Sequence, residues 1–168
     1  STLNSRQWEN LTKKVRVSVH KLAVDLAALY AVRNSAEGFA FGPDSVWQKE
    51  MEDLFPFVET ADQEKAISYV KVLMEDLRPM DVLVCGDVGF GKTEVALRTV
   101  FKSIENGKQV MMLVPTTILA DQHYRTFSER YKNFPVIVDV ISRFRSSAQQ
   151  KKIIEDFKTG EIDNLAVE

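Results

Sequence analysis

Cysteine is almost absent from this chain of 168 residues. With Cys85 alone, no disulfide can close within it, so a buried core has to supply the stability and a reducing compartment, the cytoplasm, is expected. Long apolar runs are missing too. None approaches the roughly 20 residues that a bilayer-spanning helix needs. Ser1 to Glu9 has no apolar stretch of the signal-peptide kind, so no membrane partner is expected. The chain also lacks an initiator Met, which marks it as an expected excised piece of something longer. Nor does charge of one sign dominate: 22 Lys and Arg stand against 24 Asp and Glu. That balance excludes a broad basic face, so any nucleic-acid contact has to be local and built from a few groups.

What is present is a soluble globular composition, 45% apolar and 27% charged, of a length that suits one domain with an appendage. Residues 8–33 space Trp8, Leu11, Val15, Val19, Leu22, Leu26 and Leu29 by three or four, which predicts one long amphipathic helix. At 1.5 Å per residue it would run roughly 40 Å, along a surface or out to another module. Gly38 and Gly42-Pro43 interrupt it, and helical spacing returns weakly around Trp47, Met51 and Leu54. Thr60 can cap a helix carrying Ala66, Ile67, Val70, Leu73 and Leu77 that Pro79 closes. Strands are predicted at 82–85, 110–114 and 136–141, with the start of a fourth at 165–167 left as an open edge. They alternate with helices at 92–105, 117–131 and 147–159. Continuous apolar strands between helices of about a dozen residues predict an α/β fold with a parallel sheet.

The strongest chemical signal is Gly86-Asp87-Val88-Gly89-Phe90-Gly91-Lys92-Thr93, which fits the phosphate-binding loop G-x-x-x-x-G-K-[ST]. Average residue frequencies put a chance match at about one in 200 for such a chain. Glycines let the backbone curl its N–H groups inward onto phosphate oxygens. Lys92 adds a compact charge, the Thr93 hydroxyl can ligate Mg²⁺, and the following helix turns its positive dipole end to the same anion. Cys85, at the end of the preceding run, reads as a small buried residue and not a nucleophile. The loop by itself means an NTPase or a kinase. Upstream, Phe55 can stack on a purine and the Gln63 amide can donate and accept on the N6/N7 edge of adenine.

Phe55 to Gln63, Gly86 to Ala96, Val114 to Tyr124 and Ser142-Arg143-Phe144-Arg145-Ser146 together resemble the superfamily 2 translocases. They look most like the translocation module of the bacterial transcription-repair coupling factors, with Phe90 where the fork-remodelling helicases usually have Ser. The resemblance covers nearly the whole chain. It implies a RecA-like P-loop lobe over 51–168, incomplete at its C-terminal end, behind a helical linker or clamp over 1–50. It implies ATP and Mg²⁺ as cofactors, held by Phe55, Gln63, the loop 86–93 and Glu94, with Lys92 and Thr93 catalytic. It also implies that Thr116, Thr117, Gln122, Ser142 and Arg143 grip the backbone of double-stranded DNA from the carboxyl edge of the sheet. RNA polymerase and excision-repair proteins are the implied partners, through modules outside these residues. Ala61 and Val82 depart from the pattern, where Pro and Arg are usual, and no D-E-E-H box follows Asp163. The 168 residues are therefore expected to bind nucleotide weakly and not to turn it over. The alternatives are a fork-remodelling helicase, a non-catalytic interaction module, or a small kinase or GTPase. The last lacks both an N-K-x-D guanine reader and an Arg-rich lid. Met111 and Met112 are expected as core fillers, Trp47 and His20 as packing, and His123 as structural.

Overall fold

The helices start where a small polar side chain can satisfy their first N–H groups. In the computed structural model, which describes residues 5–168 and side chains from Trp8 onward, Ser45 accepts from Gln48 N and Thr116 from Leu119 N. Thr60 with Gln63 and Ser146 with Gln149 form reciprocal capping boxes. The resulting elements are α1 (Ser5–Ser35), α2 (Val46–Asp53), α3 (Ala61–Met74), α4 (Lys92–Glu105), β1 (Val110–Leu113), α5 (Thr117–Tyr131), β2 (Val138–Ile141), α6 (Ser147–Thr159) and β3 (Asn164–Val167). Helix α3 stops at Met74, short of Leu77, which is exposed.

The three strands form a parallel sheet in the order β1-β3-β2, with Met112 and Val140 both paired to Ala166. The last strand is therefore the central one. It was expected to leave an open edge, but it is hydrogen-bonded on both sides, which buries Asn164, Leu165 and Ala166. Strand alternation then sorts the layers. Val140 and Ala166 meet Ala120 and Tyr124 of α5, while Leu165, Ile141 and Val167 meet Ile153 and Phe157 of α6. Val110, Met112 and Val138 lie against the main core of Met51, Leu97, Val100, Phe101, Phe127 and Tyr131, so α2 and α4 share the α5 face. Aromatic contacts dominate that core: Phe101 lies 5.3 Å from Tyr131 and 4.8 Å from Phe134, and Tyr131 donates to Leu97 O at 2.6 Å. Burial pushes the Tyr131 hydroxyl well above the ordinary phenol range. On the α6-side face of β1 Met111 and Leu113 are exposed, so Met111 is not the core filler expected.

Two further expectations change. Val82–Cys85 forms no strand and has no strand partner among the described residues. Its alternation survives: Val82 and Val84 pack on Ile67, Val70, Met74 and Val95, while Leu83 and Cys85 point outward. Cys85 is exposed, not buried, because a side chain is covered only where a second layer lies over it. Trp47 does pack, edge-on against Phe134 at 6.5 Å, but half of it remains in solvent, and His20 is exposed. Helix α1 forms over more than the expected span, and its row from Trp8 to Leu29 is exposed throughout. Arg33 ties its end to Asp81 by an ion pair. Among the described residues no helix is long and apolar enough to cross a membrane.

Helix α2 straddles residue 50, the expected division, and its Gln48 and Met51 are fully buried. A charged layer locks it and the preceding segment to α3 and α4. Lys102, 1% exposed, donates to Asp44 and Glu75 at 2.9 Å each and to Gly42 O at 2.7 Å. Lys71 binds Asp44 at 2.5 Å and Glu52 at 2.6 Å. Burial pushes the Asp44 carboxyl up, but hydrogen bonds from Lys71 and Lys102 outweigh it and hold the group below its ordinary value of 3.8. Gly38 runs close beneath α3, donating to Leu77 O at 2.6 Å, where a Cβ would lie 2.8 Å from that oxygen.

Lys102→Ala leaves Asp44 and Glu75 without their shared cation, and urea unfolding is expected to show a loss of about 3 kcal/mol. Because the folded-state pKa of Asp44 is depressed, its contribution is full above pH 3.8 and lost as pH falls through the lower folded value. Asp44→Asn should accordingly flatten the acid limb of stability against pH.

Candidate nucleotide and nucleic-acid site

Helix α4 is the exception among α2 to α6. Its N-cap is Gly91, at φ 70°, which offers no side-chain acceptor, so no side chain caps its first N–H groups, although Glu94 N donates to Gly91 O at 2.9 Å. Gly89 is left-handed as well, at φ 84°. These two conformations, which L side chains rarely adopt, turn the chain from the apolar run into α4. Inside the curl the Lys92 ammonium donates to Gly86 O at 2.6 Å and Asp87 O at 2.7 Å. A phosphate oxygen would be a stronger, charged acceptor for the same donor. Asp87 accepts from Val88 N at 2.9 Å, and both Val88 and Phe90 are exposed at the loop tip.

A cavity of about 540 Å³ opens beside the loop, lined by Phe55, Gln63, Gly91, Thr93, Glu94 and Arg130 among others. Gln63 is the hinge between the loop and the segment carrying Phe55. Its Oε1 accepts from Thr60 N at 2.8 Å, and its Nε2 donates to Phe90 O at 3.0 Å. A Cβ on Gly91 would displace that amide, the mobile end of a flexible side chain, so it is the left-handed φ that calls for glycine there. On the other side of Gln63 a second hollow, of about 430 Å³, is lined by Cys85, Gly86, Asp87 and Lys92. Glu94 differs from the other expected ligands. It is 5% exposed, and its Oε1 accepts from Arg98 Nε and Arg130 Nη2 at 2.9 Å each.

At the carboxyl edge of the sheet the expected DNA-facing residues divide. Thr116 and Gln122 are exposed, with the Thr116 hydroxyl engaged as the α5 cap. Arg143 is exposed, and its Nε donates to Thr117 Oγ1 at 2.9 Å and lies 3.7 Å from Glu168. The side chains of Thr117 and Ser142 turn inward, 1% and 7% exposed. Thr117 anchors Arg143, and Ser142 accepts from Phe144 N through its hydroxyl and from Gln150 through its carbonyl. Both were expected to present hydroxyls outward; instead they build the loops that hold Arg143. Hydrogen bonding from Thr117 keeps the Glu168 carboxyl below its ordinary range.

A profile described as DEAD/DEAH box helicase matches residues 60–166, more than half of the chain. The chain belongs to that family. It is 49% identical over 161 residues to the transcription-repair-coupling factor of Bacillus subtilis (strain 168), covering 96% of this chain and 14% of the relative. Against the factor of Mycobacterium bovis (strain ATCC BAA-935 / AF2122/97) the identity is 48% over 163 residues, 97% of this chain and 13% of the relative. The chain thus spans only 13–14% of the length of these curated relatives. A structure of RecG bound to a three-way DNA junction superposes with a TM-score of 0.76 at 30% identity, over 83% of this chain and 19% of that one.

Within this helicase lobe, sequence reasoning missed Arg98 and Arg130. The guanidiniums lie 5.6 and 5.4 Å from the centre of the Phe55 ring, and Arg98 also binds Glu59 and, at 3.6 Å, Glu52. The spacing of Glu94 and Arg98 by four on one helix was a readable signal. Nothing in the sequence brings Arg130 to the same carboxylate. His123 is partly buried against Phe127, and burial pushes its imidazole pKa down.

Gly91→Ala is expected to destabilise the protein by about 1–2 kcal/mol through the left-handed φ and the displaced Gln63 amide. Thermal unfolding checks the size of the effect. Gly107→Ala, equally left-handed but with open space around a Cβ, should cost less.

Proposed function

We propose that this chain is the ATP-binding lobe of a double-stranded DNA translocase that acts on stalled RNA polymerase in transcription-coupled repair. The lobe would begin at α2, with α1 serving as a connector to upstream modules. The observation that carries the reading is one cavity lined both by Phe55 and Gln63 and by Gly89, Gly91 and Thr93 of the loop. A base reader and part of a phosphate loop around one cavity suit a nucleotide. Gly89 and Gly91 in left-handed conformations, with no side-chain cap at the start of α4, fit a triphosphate tail.

In this reading Lys92 leaves its two loop carbonyls to neutralise β- and γ-phosphate oxygens. The backbone N–H groups of residues 89–93 hold the tail, and Phe55 stacks on the base. Gln63, engaged by Thr60 and Phe90 here, reads the adenine edge by exchanging the Phe90 carbonyl for the base. A hydroxyl beside phosphate oxygens is a suitable hard donor set for Mg²⁺. Thr93 would hold the ion, whose chemistry is to neutralise charge on the phosphates. On the DNA side, Arg143 and the start of α5 at Thr116 contact backbone phosphates without reading sequence. Partnering with RNA polymerase and excision-repair proteins, and work in the cytoplasm, belong to the same proposal and rest on the coupling-factor relatives.

The RecG similarity supports a second reading, a fork-remodelling helicase. Preference for a three-way junction over a linear duplex would favour it.

A fluorescent ATP analogue should bind the chain and be displaced by ATP but not by GTP. Lys92→Ala should weaken binding by at least about tenfold. Unchanged affinity in Lys92→Ala would remove the nucleotide reading. Arg143→Ala should weaken binding of linear duplex about evenly across sequences and lower the slope of log K against log salt by about 1.

A further inference from the structure

We propose that Arg130 is a positioning residue for the nucleotide base, holding the Phe55 ring so that the site discriminates a nucleoside triphosphate from a bare triphosphate. This rests on the reading of Phe55 as the base platform given above. Phe55 stands in the irregular segment between α2 and α3, where Phe57 and Val58 are 73% and 90% exposed. Burial of neighbours therefore does little to fix the ring. What reaches it is cationic: the Arg98 and Arg130 guanidiniums, together with the Phe57 edge at 5.6 Å. Arg98 also brackets the segment, binding Glu52 before it and Glu59 after it. Arg130 does not bracket the segment. It comes from the last turn of α5, and besides Glu94 it meets Phe55 and Met51, at 3.4 Å from Met51 O and 3.8 Å from its Sδ.

The hydrogen bonding of Arg130 is incomplete. Its Nε and Nη1 are buried and have no partner among the described residues. A buried guanidinium with two unmade donors is a poor way to stabilise a core, and a thioether of similar reach would serve packing better. A flat cation against an aromatic face, oriented by one carboxylate, is suited to aiming a ring. That carboxylate is Glu94, two residues after Lys92, so the group that orients Arg130 stands in the first turn behind the phosphate loop. The base wall and the phosphate wall of the cavity are thereby referenced to the same turn of helix.

The test compares ATP with inorganic tripolyphosphate as competitors of the fluorescent analogue, using the 168-residue chain. The wild-type chain should bind ATP more tightly than tripolyphosphate. Arg130→Met should lower ATP affinity about tenfold and leave tripolyphosphate affinity unchanged. Arg130→Lys, which keeps the charge and loses the plane, should fall on the same side as Arg130→Met. In a Phe55→Leu background neither substitution should change the ratio further. If Arg130→Met lowers both affinities equally, or neither, the proposal is overturned and Arg130 is structural or idle. Should Arg130→Met fail to fold, Arg130→Lys with and without Phe55→Leu decides by the same ratio. A wild-type chain indifferent to both Lys92→Ala and Phe55→Leu would instead remove the nucleotide reading itself.

Discussion

One carboxylate organises this lobe. Glu94 is nearly fully buried, and a buried anion persists only when cations and donors surround it. Arg98 and Arg130 converge on its Oε1, one from the same helix and one from α5. Burial lowers the pKa of the Arg98 guanidinium, but its hydrogen bonds to Glu59 and Glu94 more than offset this, so its charge is secure. From that centre the network runs outward through Glu52 to Lys71, and on through Asp44 to Lys102. Helices α2, α3, α4 and α5 are thus joined through charges in a layer where apolar packing alone would leave several registers open. The phosphate loop opens α4 directly, so its orientation is inherited from this layer.

The second consequence concerns α5. Its first turn is held at the sheet edge, where Thr117 anchors Arg143, and its last turn places Arg130 over Phe55. One rigid helix of 15 residues therefore touches both the edge proposed for DNA and the wall proposed for the base. Its middle is packed by Ala120 against Val140 and Ala166 and by Phe127 in the aromatic core. A shift at either end would be carried by the helix as a body, since close packing resists local deformation. Gln63 is the softer part. It is only partly buried, and it closes on the loop through one amide bond to Phe90 O.

Local chemistry was the legible part of the sequence. The capping boxes at Thr60 and Ser146 mark where α3 and α6 begin, and the three helices after the phosphate loop fall where their apolar spacing and Gly punctuation place them. The loop itself was legible because its function needs glycine at fixed positions. What was illegible depends on neighbours. An apolar run such as Val82–Cys85 reads as a buried strand, yet burial and pairing come from other segments, and here Leu83 and Cys85 face outward. Thr117 and Ser142 read as phosphate contacts from their place after strands, but whether a hydroxyl turns out or in is decided by the side chains packed around it.

By itself the sequence determined the order and type of most elements and the presence of a phosphate loop, because these depend on residues a few positions apart. Only tertiary structure decided that the final strand is central, that Arg130 joins Arg98 on Glu94, and that Phe55 and Arg130 line one cavity. Such pairings join residues dozens of positions apart. Their energies depend on distance and burial in the folded state, which no local pattern encodes.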